Sequence, residues 1–141
     1  MKNKKKARID TYSTIYDMDI VVANELVTLK KLRDLFEYID GKELEDCYTE
    51  WDVVTGLLKR KSDGAYTVLV KFNKISDSFV SSGDKLLDML DVCTHEATHA
   101  ALDIYKSVSA EIDMENQETF AYFVAYIAER IAKTLSNKWT K

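Results

Sequence analysis

The sequence predicts an α+β domain, and three observations carry that expectation. Two runs rich in β-branched and aromatic residues flank an Asp63-Gly64 pair, a strong short-range hairpin signal. A stretch from Lys85 to Tyr105 repeats apolar residues at helical spacing. A second such stretch, from Glu115 to Asn137, carries an apolar stripe of Phe120, Val124, Ile127, Ile131 and Leu135. The 141 residues contain no repeat of usable period and no low-complexity linker, so residues 1–141 read as a single domain with its own core.

Taken in order, residues 1–10 begin with Lys2, Lys4, Lys5, Lys6 and Arg8 and are expected to form a solvated, disordered basic tail. Ile15–Ala23 ends in a β-branched apolar run and is expected to be a strand buried on both faces near its end. Thr28 is placed to cap a helix over Leu29–Ile39, in which Leu29, Leu32, Leu35, Phe36 and Ile39 recur at helical spacing, with Gly41 as its C-terminal cap. Residues Glu43–Asp46 are acidic and read as a surface loop. Glu50–Lys61 and Ala65–Phe72 then form the hairpin, the second strand turning Tyr66, Val68, Val70 and Phe72 to the core and Thr67, Leu69 and Lys71 outward. Asn73–Gly83 reads as a connecting loop, Asp84 as the cap of the Lys85–Tyr105 helix, and Ser107–Ala110 as its break.

The function classes narrow by charge and pattern. A formal charge of −4 argues against a nucleic-acid-binding face, which needs a basic patch to neutralise phosphates. No stretch approaches the length of a membrane span, and no signal-peptide pattern follows the basic start, so a cytoplasmic protein is expected. Cys47 and Cys93 are far apart and would stay reduced there, with Cys93 a buried apolar filler. Trp51 and Trp139 fit either a partner surface or the edge of the core, and the oligomeric state is not legible.

Both histidines of the chain fall in one pentad, His95-Glu96-Ala97-Thr98-His99. Side chains four apart on a helix stand one above the other, so both imidazoles point one way and offer two corners of a Zn2+ shell. Glu96, one step around the helix, occupies the general-base position of an H-E-x-x-H zinc hydrolase. A catalytic zinc site needs a third protein ligand, and no third histidine exists. Glu118, nineteen positions after His99 on the following helix, is the first candidate, and Glu115, one turn earlier, is the rival.

The pair HEATH plus a downstream E-x-x-A-x-x-x-A helix (Glu118, Ala121, Ala125) resembles the gluzincin metallopeptidases. Within them it is similar to the small phage- and mobile-element-associated group that includes the ImmA/IrrE-like peptidases. The resemblance covers roughly Ala65–Ile131. It implies a zincin-like fold, in which a small, mainly antiparallel sheet packs on the metal helix and an antiparallel glutamate-bearing helix follows. It also implies zinc-dependent hydrolysis of a protein or peptide substrate and a phage or prophage origin. A non-catalytic phage accessory or binding protein that keeps zinc for stability is the alternative.

On this reading His95, His99 and Glu118 hold the metal and Glu96 moves the proton. A donor for the oxyanion must be a Tyr or Arg; Tyr122, one turn after Glu118, is the first choice, with Tyr105 and Tyr126 behind it. Asp91 and Asp103, one turn before His95 and one after His99, are placed to orient the imidazoles. An extended substrate is expected to add to the edge of Ala65–Phe72.

Overall fold

The computed structural model describes residues 6–74, 85–115 and 117–136. Within them lie five strands, β1 (Ile9–Tyr12), β2 (Asp19–Ala23), β3 (Phe36–Glu37), β4 (Val53–Arg60) and β5 (Tyr66–Phe72). The helices are α1 (Leu29–Leu35), α2 (Cys47–Glu50), α3 (Lys85–Ser107) and α4 (Glu118–Leu135). The strands make one sheet in the order β1-β2-β5-β4-β3, antiparallel throughout except for the parallel pair β2–β5. The fold is therefore α+β with a mostly antiparallel sheet.

Alternation along the strands produces two cores, because successive side chains leave a strand on opposite faces. Ile20, Val22, Val68, Val70 and Phe72 meet α3 and α4 through Ala97, Ala100, Ala101, Ile104, Ile127 and Ile131. On the other face Val21, Ala23, Val54, Leu58 and Leu69 meet Leu32, Phe36, Leu44 and Tyr48 from α1, α2 and the chain around them. Each large apolar side chain so buried contributes about 1.5–3 kcal/mol. Thr67, Leu69 and Lys71 do not point outward as expected; all three are fully buried under this second layer. Lys71 is accommodated because its Nζ donates to Asn24 O (2.9 Å), Phe72 O (2.9 Å) and Asn73 Oδ1 (2.7 Å).

The local signals explain most of the elements. Thr28 caps α1 as expected, its Oγ1 accepting from Lys31 N at 3.2 Å. The helix then stops at Leu35 rather than Ile39, because Phe36 and Glu37 pair with Arg60 and Lys59 of β4. Strand pairing and burial of Phe36 outweigh the helical periodicity. Gly41 consequently closes a turn with φ +86° instead of ending the helix.

The Asp-Gly hairpin is present. Gly64 takes φ +72°, and Arg60 N donates to Ala65 O at 2.8 Å. Arg60 grips both Asp63 (2.7 Å) and Asp19 (2.8 Å), and its guanidinium holds the Asp63 carboxyl down at about 2. The first hairpin strand begins at Val53, since residues 47–50 form α2.

Three further expectations need correction. The basic start does not stay a tail to residue 10: Ile9–Tyr12 is the edge strand β1, and Arg8 exchanges hydrogen bonds with Asn24. The first expected strand starts at Asp19, because residues 15–18 turn through Asp17 at φ 57°. The last helix starts at Glu118, leaving Glu115 in the preceding loop with its N–H on Asp113 Oδ1. Cys93 is the buried filler expected, and burial pushes its thiol up to about 12.

Helix α3 ends two residues later than expected in a Schellman turn. Ser109 sits at φ 57°, Ala110 N bonds Tyr105 O at 2.8 Å and Ser109 N bonds Lys106 O at 3.4 Å. The chain then returns along α3, with the Tyr105 ring 5.2 Å from Phe120 at the start of α4. Most of the expected 73–83 loop, the Asp84 cap, Trp139 and the last expected helical residue Asn137 lie outside the described residues. Among the described residues no helix is long and apolar enough to cross a membrane.

Candidate metal centre

Helix α3 sets the site by its rotation. Val92, Cys93, Ala97, Ala100, Ala101 and Ile104 are buried, and this fixes the opposite sector of the helix, carrying His95 and His99, towards solvent. The two imidazoles meet as the spacing predicts: their Nε2 atoms are 3.2 Å apart and their ring planes cross at 72°. Two nitrogens at about 2.0–2.1 Å from a tetrahedral ion would stand about 3.3–3.4 Å apart, so the pair fits two corners of a zinc shell. A shared proton would also hold such a pair, one ring donating to the other.

Glu96 lies between the helix and the sheet. Its side chain is 12% exposed, against 67% for His95. Thr55 Oγ1 on β4 donates to Glu96 Oε2 at 2.6 Å, and Glu96 Oε1 stands 3.9 Å from His95 Nε2. Sequence reasoning missed Thr55. The available signal was a lone hydroxyl residue between Val53 and Leu57, the two side chains of that face that pack on the α3 core.

An open pocket of about 310 Å³ adjoins His95, lined by Asp52, Val53, Asp91, Val92, His95 and Glu96. Asp91 is thus on the His95 side, where the sequence placed it. Asp103 faces His99 electrostatically: burial raises its carboxyl pKa, and the charges of His99 and Lys106 oppose the rise.

The remaining candidates stand elsewhere. Among the described residues no group of three His, Cys, Asp or Glu side chains is gathered closely enough to hold a metal. The packing gives the reason. Tyr105, which meets the start of α4, is six residues after His99, about 9 Å along the axis and about 240° around it. Glu118 instead shares the exposed face of α4 with Ala121, Tyr122 and Ala125.

Tyr122, 72% exposed, lines a separate apolar pocket of about 380 Å³ with Ile15, Phe123 and Tyr126. Tyr105 is buried against Phe120 and Phe123, and its hydroxyl accepts from Tyr16 at 3.0 Å. Tyr126 donates to Ser13 O at 2.7 Å beneath the Arg130 guanidinium. The structure brings none of the three into the lining of the pocket beside His95.

The edge expected to take substrate is not available, since β5 is paired on both sides. The free edge next to the site belongs to β4. Among the described residues Val53–Leu58 pairs only with β5, because β3 reaches no further than Lys59 and Arg60. Comparison of the chain with protein families, with curated proteins and with solved structures gives no match.

Proposed function

We propose that this chain is a zinc-dependent peptidase of zincin-like build, acting in the cytoplasm, with His95 and His99 as metal ligands and Glu96 as general base. The observation that carries the reading is the 3.2 Å approach of two exposed imidazole nitrogens beside a carboxylate already clamped by a hydroxyl. Zinc, when bound, supplies a Lewis acid that lowers the pKa of water from about 15.7 towards 7 and polarises a carbonyl. Glu96 Oε1 takes the proton of the attacking water and delivers it to the leaving amine, while Thr55 keeps Oε2 from swinging away. The edge of β4 that is unpaired among the described residues offers main-chain donors and acceptors to an extended peptide running past the histidines. The motif assigns the third corner of the metal shell to Glu118, on the exposed face of α4.

The test combines metal content with cleavage of a peptide library. Glu96→Gln is expected to retain zinc and lose hydrolysis, while His99→Ala loses both. Glu118→Ala is expected to weaken zinc at least tenfold; unchanged affinity would transfer the third position to Glu115 or to a group outside the described residues. A second reading, a non-catalytic zinc-holding module, draws on the same histidine pair. It predicts zinc retention with no cleavage by the parent protein. If the purified chain takes up no zinc, both readings fall.

A further inference from the structure

The pocket beside His95 has a composition that selects a side chain. Its apolar lining is Val53 of β4 and Val92 of α3; its polar lining is Asp52, Asp91, Glu96 and His95. Among the described residues no lysine or arginine lines it, and its volume of about 310 Å³ exceeds that of any single side chain. Glu96 is held by Thr55, but Asp91 is exposed on the helix. Lys74 Nζ stands 3.9 Å from Asp52 with both side chains at least half exposed, a pairing that water weakens and that a ligand can displace. The pocket therefore joins an aliphatic wall to carboxylates that, among the described residues, have no buried counter-charge. It also opens where the free edge of β4 begins, so a residue of a strand laid along Val53–Leu58 would drop its side chain into it.

From this geometry we infer that the pocket is a specificity subsite for a lysine or arginine of the substrate peptide, with Asp52 and Asp91 as the selecting residues. A long methylene stem covers Val53 and Val92, and the terminal cation reaches the two aspartates. A norleucine of similar length would fill the apolar part and leave the carboxylates unpaired, and a glutamate would be repelled. The inference rests on the peptidase reading for its chemistry, though the pocket itself can be tested without it.

Two measurements separate the cases. The first is the ratio of kcat/KM for paired peptides that differ only in lysine against norleucine at each position flanking the cleaved bond. The ratio is expected to reach at least tenfold at one position in the parent and to fall towards one in the double variant Asp52→Asn, Asp91→Asn. The second is binding of the same two peptides to Glu96→Gln by calorimetry, where the lysine peptide is expected to bind at least tenfold tighter and to lose that margin when both aspartates are changed. Cleavage without a lysine preference at any position overturns the subsite and leaves the peptidase reading standing. Absence of cleavage with an aspartate-dependent binding preference does the reverse. Indifferent binding with no cleavage refutes both, and circular dichroism of each variant separates these outcomes from loss of fold.

Discussion

Replacing Thr55 by valine removes one hydroxyl and keeps the shape of the side chain, so its effect reports the Thr55–Glu96 contact almost alone. The bond is 2.6 Å long and its acceptor is a carboxylate with only 12% of the side chain exposed. Hydrogen bonds to charged acceptors are worth about 1.5–3 kcal/mol, and the loss is not made up by solvent where the oxygen is nearly covered. For 141 residues the unfolding entropy is about 0.3 kcal/mol per kelvin. Thr55→Val should therefore lower the melting temperature by about 5–10 °C in a calorimetric scan. Thr55→Ser, which restores the donor, should recover at least half of that. On the proposed peptidase reading, the valine variant should bind zinc as the parent does and lose about 10- to 100-fold in kcat/KM, because a base that is free to rotate spends less time aimed at the water. A valine variant that melts within about 1 °C of the parent would refute the assignment of Thr55 as the group that holds Glu96.

Two further expectations concern the opposite layer. Burial pulls the Lys71 amino group down to about 8 from its ordinary 10.5, with the Glu25 charge opposing. The folded value lies below the unfolded one, so the unfolded chain binds the extra proton between pH 8 and 10.5 and stability rises with pH in that window. From pH 8 to 9.5 the gain is about 1.5 kcal/mol relative to Lys71→Met, measured as the difference between urea titrations at the two pH values, and parallel behaviour of the two proteins would refute it. Gly56 accommodates Tyr48, whose Oη lies 2.6 Å from where a Cβ would stand. Gly56→Ala should cost about 1–3 kcal/mol by the same titration, and Tyr48→Phe should relieve most of that cost.

What could be read from the sequence follows the range of the forces involved. The Asp63-Gly64 turn, the Thr28 cap and the run of α3 are set by neighbours within four residues, and each stands where local chemistry placed it. The end of α1 does not, since Leu32, Leu35 and Phe36 satisfy a helix and a strand end equally and only β4, some two dozen residues on, decides. The burial of Lys71 was illegible for the same reason: its three acceptors come from Asn24, Phe72 and Asn73, and a lysine in an alternating strand otherwise marks the wet face. At the site, the meeting of His95 with His99 is a property of one helix and was fully legible. The setting of Glu96 depends on Thr55 across 41 positions, and the placing of Glu118 depends on how α4 docks, which the pattern E-x-x-A-x-x-x-A does not specify.

The parallel seam at the centre of the sheet bears on how the chain reaches this state. β2 and β5 join residues 48 positions apart in every registered pair, Val22 with Val70 among them, while β1 offers β2 a ladder of only four residues. A two-stranded ladder of that length is marginal in water. During synthesis, then, the apolar strand Asp19–Ala23 emerges from the ribosome long before its main partner, and the middle of the sheet can close only when Phe72 has cleared the exit tunnel. Such high contact order slows folding and exposes early intermediates to self-association. A fragment ending before Tyr66 would keep that strand open to other chains.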